Sequence, residues 1–141
     1  MSRLARFALI ALAAAAAGMF SASTASAGAD KEVASCHDSA VLARIVSKFR
    51  HQVTYVPNLP DVDIVDFRKI HERRYLPYRE SRPIARRYCG ATAHLSDGKK
   101  RSVWYLIEDR MGFASIGDGV EFCVSGFDRW RVYNGRCRVV K

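Results

Sequence analysis

The sequence predicts an α+β domain: an N-terminal amphipathic helix packed on a mainly antiparallel β-sheet of hairpins and stapled by disulfides. Three observations carry this. One stretch shows helical periodicity, a series of short β-prone segments follows it with turn residues between them, and four cysteines, an even number, lie from residue 36 onward.

The helix comes first. Asp38 or Ser39 is placed to cap a segment in which Val41, Leu42, Ile45, Val46 and Phe49 recur along one face, while Arg44, Lys48 and Arg50 fall mostly on the other. This pattern predicts a helix over about 38–51 that packs on something larger. A membrane-surface helix has the same pattern, but Cys36 at its start favours attachment to the domain.

Pro57 and Pro60 then disfavour helix and make a linker. Val62 to Phe67 reads as a strand whose apolar side changes between Ile64 and Val65, which calls for a bulge or an edge position. The stretch from His71 to Arg87, rich in arginine with Tyr75, Pro77, Tyr78 and Pro83, reads as an extended basic loop. Residues 84–108 form a hairpin turning at Asp97-Gly98. With an even loop, Ala91, Ala93 and Leu95 would share a face with Trp104 and Leu106. Val103 to Ile107 is apolar on both sides and is expected to be central and covered on both faces. Further strands are expected at 112–116, 120–125 and 129–133, the last turning at Asn134-Gly135 into 136–140.

Ahead of this domain, Arg3 and Arg6 precede an apolar run from Phe7 to Phe20, and small residues end in Ala25-Ser26-Ala27. That order is the one of a cleavable signal peptide at 1–27, and the run is too short for a membrane anchor. Residues 28–141 make one small α+β domain, periplasmic or secreted after cleavage near Ala27. The signal carries two of the 23 basic residues and no acidic ones, so the mature chain has 21 basic against 14 acidic residues, a formal +7. Such a balance favours anionic partners, or serves solubility alone.

Export also accounts for Cys36, Cys89, Cys123 and Cys137 as structural disulfides. Four cysteines allow three pairings. Spacing favours Cys123 with Cys137, which leaves Cys36 to tie the helix to Cys89. No Cys-x-x-Cys is present and Cys36-His37 lacks the upstream cysteine of a haem attachment motif, so no metal or cofactor is assigned.

Catalytic motifs are equally sparse. None of His37, His51, His71 and His94 stands at metal-ligand spacing with another, and Ser115 lacks the first glycine of a nucleophile elbow. A nuclease remains the enzymatic alternative, with His71 and His94 as base and acid beside Arg73, Arg74 and Arg87. No residue is assigned as catalytic. The candidate ligand-binding set is Arg73, Arg74, Tyr75, Tyr78, Arg86 and Arg87, because arginine grips phosphate or carboxylate through paired N–H groups and tyrosine stacks on rings. The competing reading pairs these arginines with Asp61, Asp63, Asp66, Glu72 and Glu80 on a solvated face.

The stretch Arg86-Arg87-Tyr88-Cys89, Leu95-Ser96-Asp97-Gly98, Val103 to Glu108, Met111 to Ala114 and Val120 to Cys123 resembles an uncharacterised group of small exported alphaproteobacterial proteins. The likeness continues through Gly126 to Trp130 and Tyr133-Asn134-Gly135 to Cys137. It implies the periplasm and carries no activity or site residues. The functional expectation is therefore a binding module for an anionic envelope ligand or partner protein, such as polysaccharide, lipopolysaccharide phosphate or an acidic protein face. Nucleic acid is a lesser possibility and no transmembrane anchor is expected. The alternatives are a small secreted hydrolase and an accessory or inhibitor protein of an envelope enzyme, the last using an apolar interface around Trp104 or Trp130.

Overall fold

Helix α1 spans Ser39–Tyr55, four residues further than the periodicity indicated, and Asp38 is its cap, accepting from the N–H groups of Ala40 at 2.8 Å and Val41 at 3.1 Å. The computed structural model describes residues 32–141, so the expected signal peptide lies outside the described residues. Val41, Ile45, Phe49 and Val53 form the buried stripe of α1 at four-residue intervals. Val56 closes the last turn through its N–H to the Gln52 carbonyl, and Pro57 stops the helix.

The sheet has four strands in the order β1-β2-β3-β4, all antiparallel: β1 (Ile64–Leu76), β2 (Arg86–Leu95), β3 (Lys100–Glu108) and β4 (Gly119–Val124). Helix α1 covers one face. There Ile45 and Phe49 meet Ala91, Ala93, Val103, Tyr105 and Phe122 in the main core, and Phe127 sets its ring edge-on to Phe49 at 4.9 Å. The opposite face carries a smaller apolar cluster of Tyr88, Leu106, Cys123, Cys137 and Val140. β3 is therefore internal and apolar on both faces, as its sequence requires.

Both disulfides follow the favoured pairing, Cys36 with Cys89 and Cys123 with Cys137. The first fastens the segment before α1 to β2. Beside it the buried Tyr105 hydroxyl donates to the Cys36 carbonyl at 2.6 Å. No cysteine is left free. Two disulfides fit an oxidising compartment, and no described helix is long and apolar enough to cross a membrane.

Several elements differ from the sequence reading. The basic stretch is only partly loop: β1 continues through Leu76, because residues 71–76 find backbone partners on β2 from Gly90 to Arg86. β1 is an edge strand and its register shifts after Ile64, after Arg68 and after Glu72; the first shift is the irregularity that Ile64-Val65 called for. The β2–β3 loop is odd, with five residues between the paired His94 and Lys100. Gly98, at φ +80°, donates to the Leu95 carbonyl, and Leu95 N–H reaches the Lys99 carbonyl. The odd count reverses the expected faces: Ala91 opposes Val103 and Cys89 opposes Tyr105, while Trp104 and Leu106 share a face with Gly90 and Tyr88.

Downstream, the strands expected at 112–116, 129–133 and 136–140 do not form. Phe113–Ser115 is a 3-10 turn in the β3–β4 connection, closed by Gly112 N–H on the Gly117 carbonyl. Arg131, Asn134, Gly135, Arg136 and Cys137 all have positive φ, which is incompatible with an extended strand. The tether to Cys123 turns this segment across the helix-free face, where it ends in a 3-10 turn at Arg138–Val140.

Candidate anion-binding face

The helix-free face of the sheet gathers the basic residues that the sequence singled out, but not all of them. Alternation along β2 places Arg86, Tyr88, Gly90, Thr92 and His94 on this side, and Arg87 and Cys89 under the helix. Because β1 is bulged, its arginines divide in a way that strict alternation does not give.

Arg74 lies over the Tyr88 ring, its guanidinium carbon 4.2 Å from the ring centre. Arg73 and His71 lie over Gly90: a β-carbon there would come within 2.9 Å of the His71 ring and 3.3 Å of the Arg73 Cδ. Glycine thus leaves the dent in which both side chains rest. Lys100 stands opposite His94 at the far end of the same face, and Lys141 sits over Trp104 at 4.1 Å. Among the described residues neither Arg73, Arg74 nor Lys100 joins an ion pair. Stacking orients the Arg74 guanidinium and leaves its N–H edge unspent, the arrangement that receives phosphate, sulfate or carboxylate in a forked contact.

The other members of the predicted set behave differently. Arg87 is turned under the helix side, its side chain only 11 % exposed, and is bonded to Glu72 and, at 2.6 Å, to Glu32. Its guanidinium also covers the Tyr75 ring at 4.4 Å. Burial pulls the Arg87 pKa down, but the bonds to Glu32 and Glu72 outweigh it and hold the group above its ordinary range. Arg87 and Tyr75 are thus committed to fastening Glu32 and Val33 to the sheet. Arg86 is paired with Glu108 at 2.8 Å. Tyr78 is exposed in the loop after β1 and joins neither group.

The acids named as competitors are largely occupied elsewhere. Asp61 and Asp63 pair with Arg50 of α1, and Asp66 with Arg68. Of the acids named from sequence, only Glu72 pairs with a member of the candidate set; Glu32 and Glu108, not named there, pair with Arg87 and Arg86.

The histidine pair of the nuclease alternative is not assembled. His71 pairs with Gly90, four residues along β2 from His94, so the two are separated by roughly 13 Å of strand. His71 Nδ1 is held by the Lys69 carbonyl at 2.8 Å. Among the described residues no group of histidines, cysteines and carboxylates has metal-site geometry. Comparison of the chain with protein-family models, curated proteins and solved structures returned no match.

Two features of the face were not assigned from sequence. Tyr88 enters the sequence reading only within the stretch Arg86-Arg87-Tyr88-Cys89, and its parity with Arg86 is the available signal. The role of Gly90 had none, since it depends on the bulges of β1.

Proposed function

We propose that the mature domain is a periplasmic or secreted binding module, cleaved near Ala27, that takes an anionic ligand on the helix-free face of its sheet. The observation that carries this reading is the Arg74 guanidinium, stacked on Tyr88 next to Arg73, neither of them with a carboxylate partner among the described residues. A formal excess of basic residues over the mature chain adds long-range attraction. The ligand class is a sulfated, phosphorylated or carboxylated polymer of the envelope. The test is equilibrium binding of dextran sulfate across a salt series. Binding that weakens with salt and survives His71→Ala with His94→Ala supports a binder, whereas phosphodiester cleavage lost in that variant supports the hydrolase.

A second reading, an accessory or inhibitor protein of an envelope enzyme, is favoured by the β3–β4 connection. Phe113 there is 95 % exposed, with Ile116 beside it in the same loop. Capture of an envelope enzyme that persists at high salt and is lost with Phe113→Ala would favour it.

A further inference from the structure

A pocket of about 370 Å³ opens between the C-terminal half of α1 and residues 127–133, away from the arginines of the sheet face. It falls in the size range of small-molecule sites, roughly 300–1,000 Å³. Phe122 and Phe127, both buried, contribute apolar floor. Its rim carries Trp130, 63 % exposed, and Tyr55, 69 % exposed, the latter tilted against His51 with ring centres 4.4 Å apart. Large aromatic faces left in water beside a cavity are surfaces on which a flat or puckered ring can rest.

The polar lining narrows the ligand. Asp128 Oδ1 accepts from the Tyr133 N–H at 3.3 Å, but Asp128 Oδ2 is buried and has no partner. That oxygen is closed to water and is not offered to a ligand, so the exposed polar groups of the lining set the preference. Lys48 gives one of its three donors to the Val120 carbonyl, and among the described residues Arg129 makes no ion pair, so two cations line the pocket against one carboxylate. Glu121 is held outside this set by the Tyr133 phenol at 2.6 Å.

We infer that this pocket binds one ring of an acidic saccharide. The C–H face of a sugar ring would stack on Trp130 or Tyr55, and the acidic substituent would meet Lys48 and Arg129. A fatty acid offers no ring face to Trp130 or Tyr55, and a cationic ring would face Lys48 and Arg129. The inference rests on a different surface from the Arg73 and Arg74 face, so either can fail alone.

The test uses a Trp104→Phe variant, in which Trp130 is the one remaining tryptophan, titrated with trigalacturonate. A saturable change in Trp130 fluorescence is expected. By calorimetry, Trp130→Ala and Arg129→Ala should each weaken binding about tenfold or more. Arg101→Glu, outside both the pocket lining and the arginine face, should leave trigalacturonate binding unchanged. Absence of saturable binding to the folded protein, undiminished binding by Trp130→Ala, or equal affinity for octanoate or maltotriose would each overturn the inference.

Discussion

The guanidinium of Arg74 rests 4.2 Å from the centre of the Tyr88 ring, and no carboxylate among the described residues pairs with it. Arg87 makes the same kind of contact with Tyr75 at 4.4 Å, yet both Glu32 and Glu72 bind it. Two arginine–tyrosine stacks on opposite faces of one β-ribbon therefore have different fates. The first is available to a ligand and the second holds the fold.

That difference is measurable as stability. Arg87→Ala leaves two carboxylates without their donor and releases Val33 from the sheet end, which should cost about 2 kcal/mol. Arg74→Ala removes an exposed stack and should cost less than about 1 kcal/mol. Urea denaturation of the two variants checks the contrast.

The disulfides should contribute unequally. Cys36–Cys89 joins residues 53 apart in sequence and Cys123–Cys137 residues 14 apart. Chain-entropy arguments give about 4 kcal/mol for the longer loop and about 3 kcal/mol for the shorter. Replacing the first pair by alanine should lower the urea midpoint more than replacing the second, and reduction should remove the difference.

Alkaline pH should unfold the domain through two phenols. Burial pushes the pKa of Tyr105 above the ordinary phenol range. Burial, then the bond to Glu121, does the same for Tyr133. In the unfolded chain both would ionise near about pH 10. Their contribution is thus fully present below about pH 10 and is lost as the pH rises towards the folded values. Phenolate absorbance should show a late phase that coincides with loss of structure, and Tyr105→Phe should remove part of it.

Gly90→Ala tests the dent beneath the binding face. The new methyl would meet the far ends of two flexible side chains, His71 and Arg73, rather than backbone. Stability should change by less than about 1 kcal/mol, within the usual range for a glycine in a strand. Dextran sulfate affinity should fall severalfold as Arg73 is displaced.

How much of this was legible depends on which residues set each feature. The spacing of Val41, Ile45 and Phe49, the Asp38 cap and the Asp97-Gly98 turn are local signals, and all three are realised. The irregularity at Ile64-Val65 was readable because apolar parity breaks there. Residues 71–76 were misread because a charged edge strand has no apolar alternation; its charges guard an open edge instead. Asn134-Gly135 misled because the tether from Cys137 to Cys123 overrides a local hairpin preference. The candidate site was half legible. Its residue types could be seen, but the division of Arg73 and Arg74 from Tyr75 and Arg87 follows from the bulges of β1.

The most direct test of the anion-binding claim compares two charge reversals of equal size. One is Arg73→Glu with Arg74→Glu; the other is Arg101→Glu with Arg131→Glu, where Arg101 pairs with Ala93 and belongs to the opposite face, and Arg131 lies in the C-terminal turns. Binding of dextran sulfate is measured for each across a salt series. The first variant should bind at least about tenfold more weakly, with a plot of log affinity against log salt shallower by about two, while the second stays near the wild type. Equal loss in both variants would show that net charge alone drives binding and would contradict a site at Arg73 and Arg74.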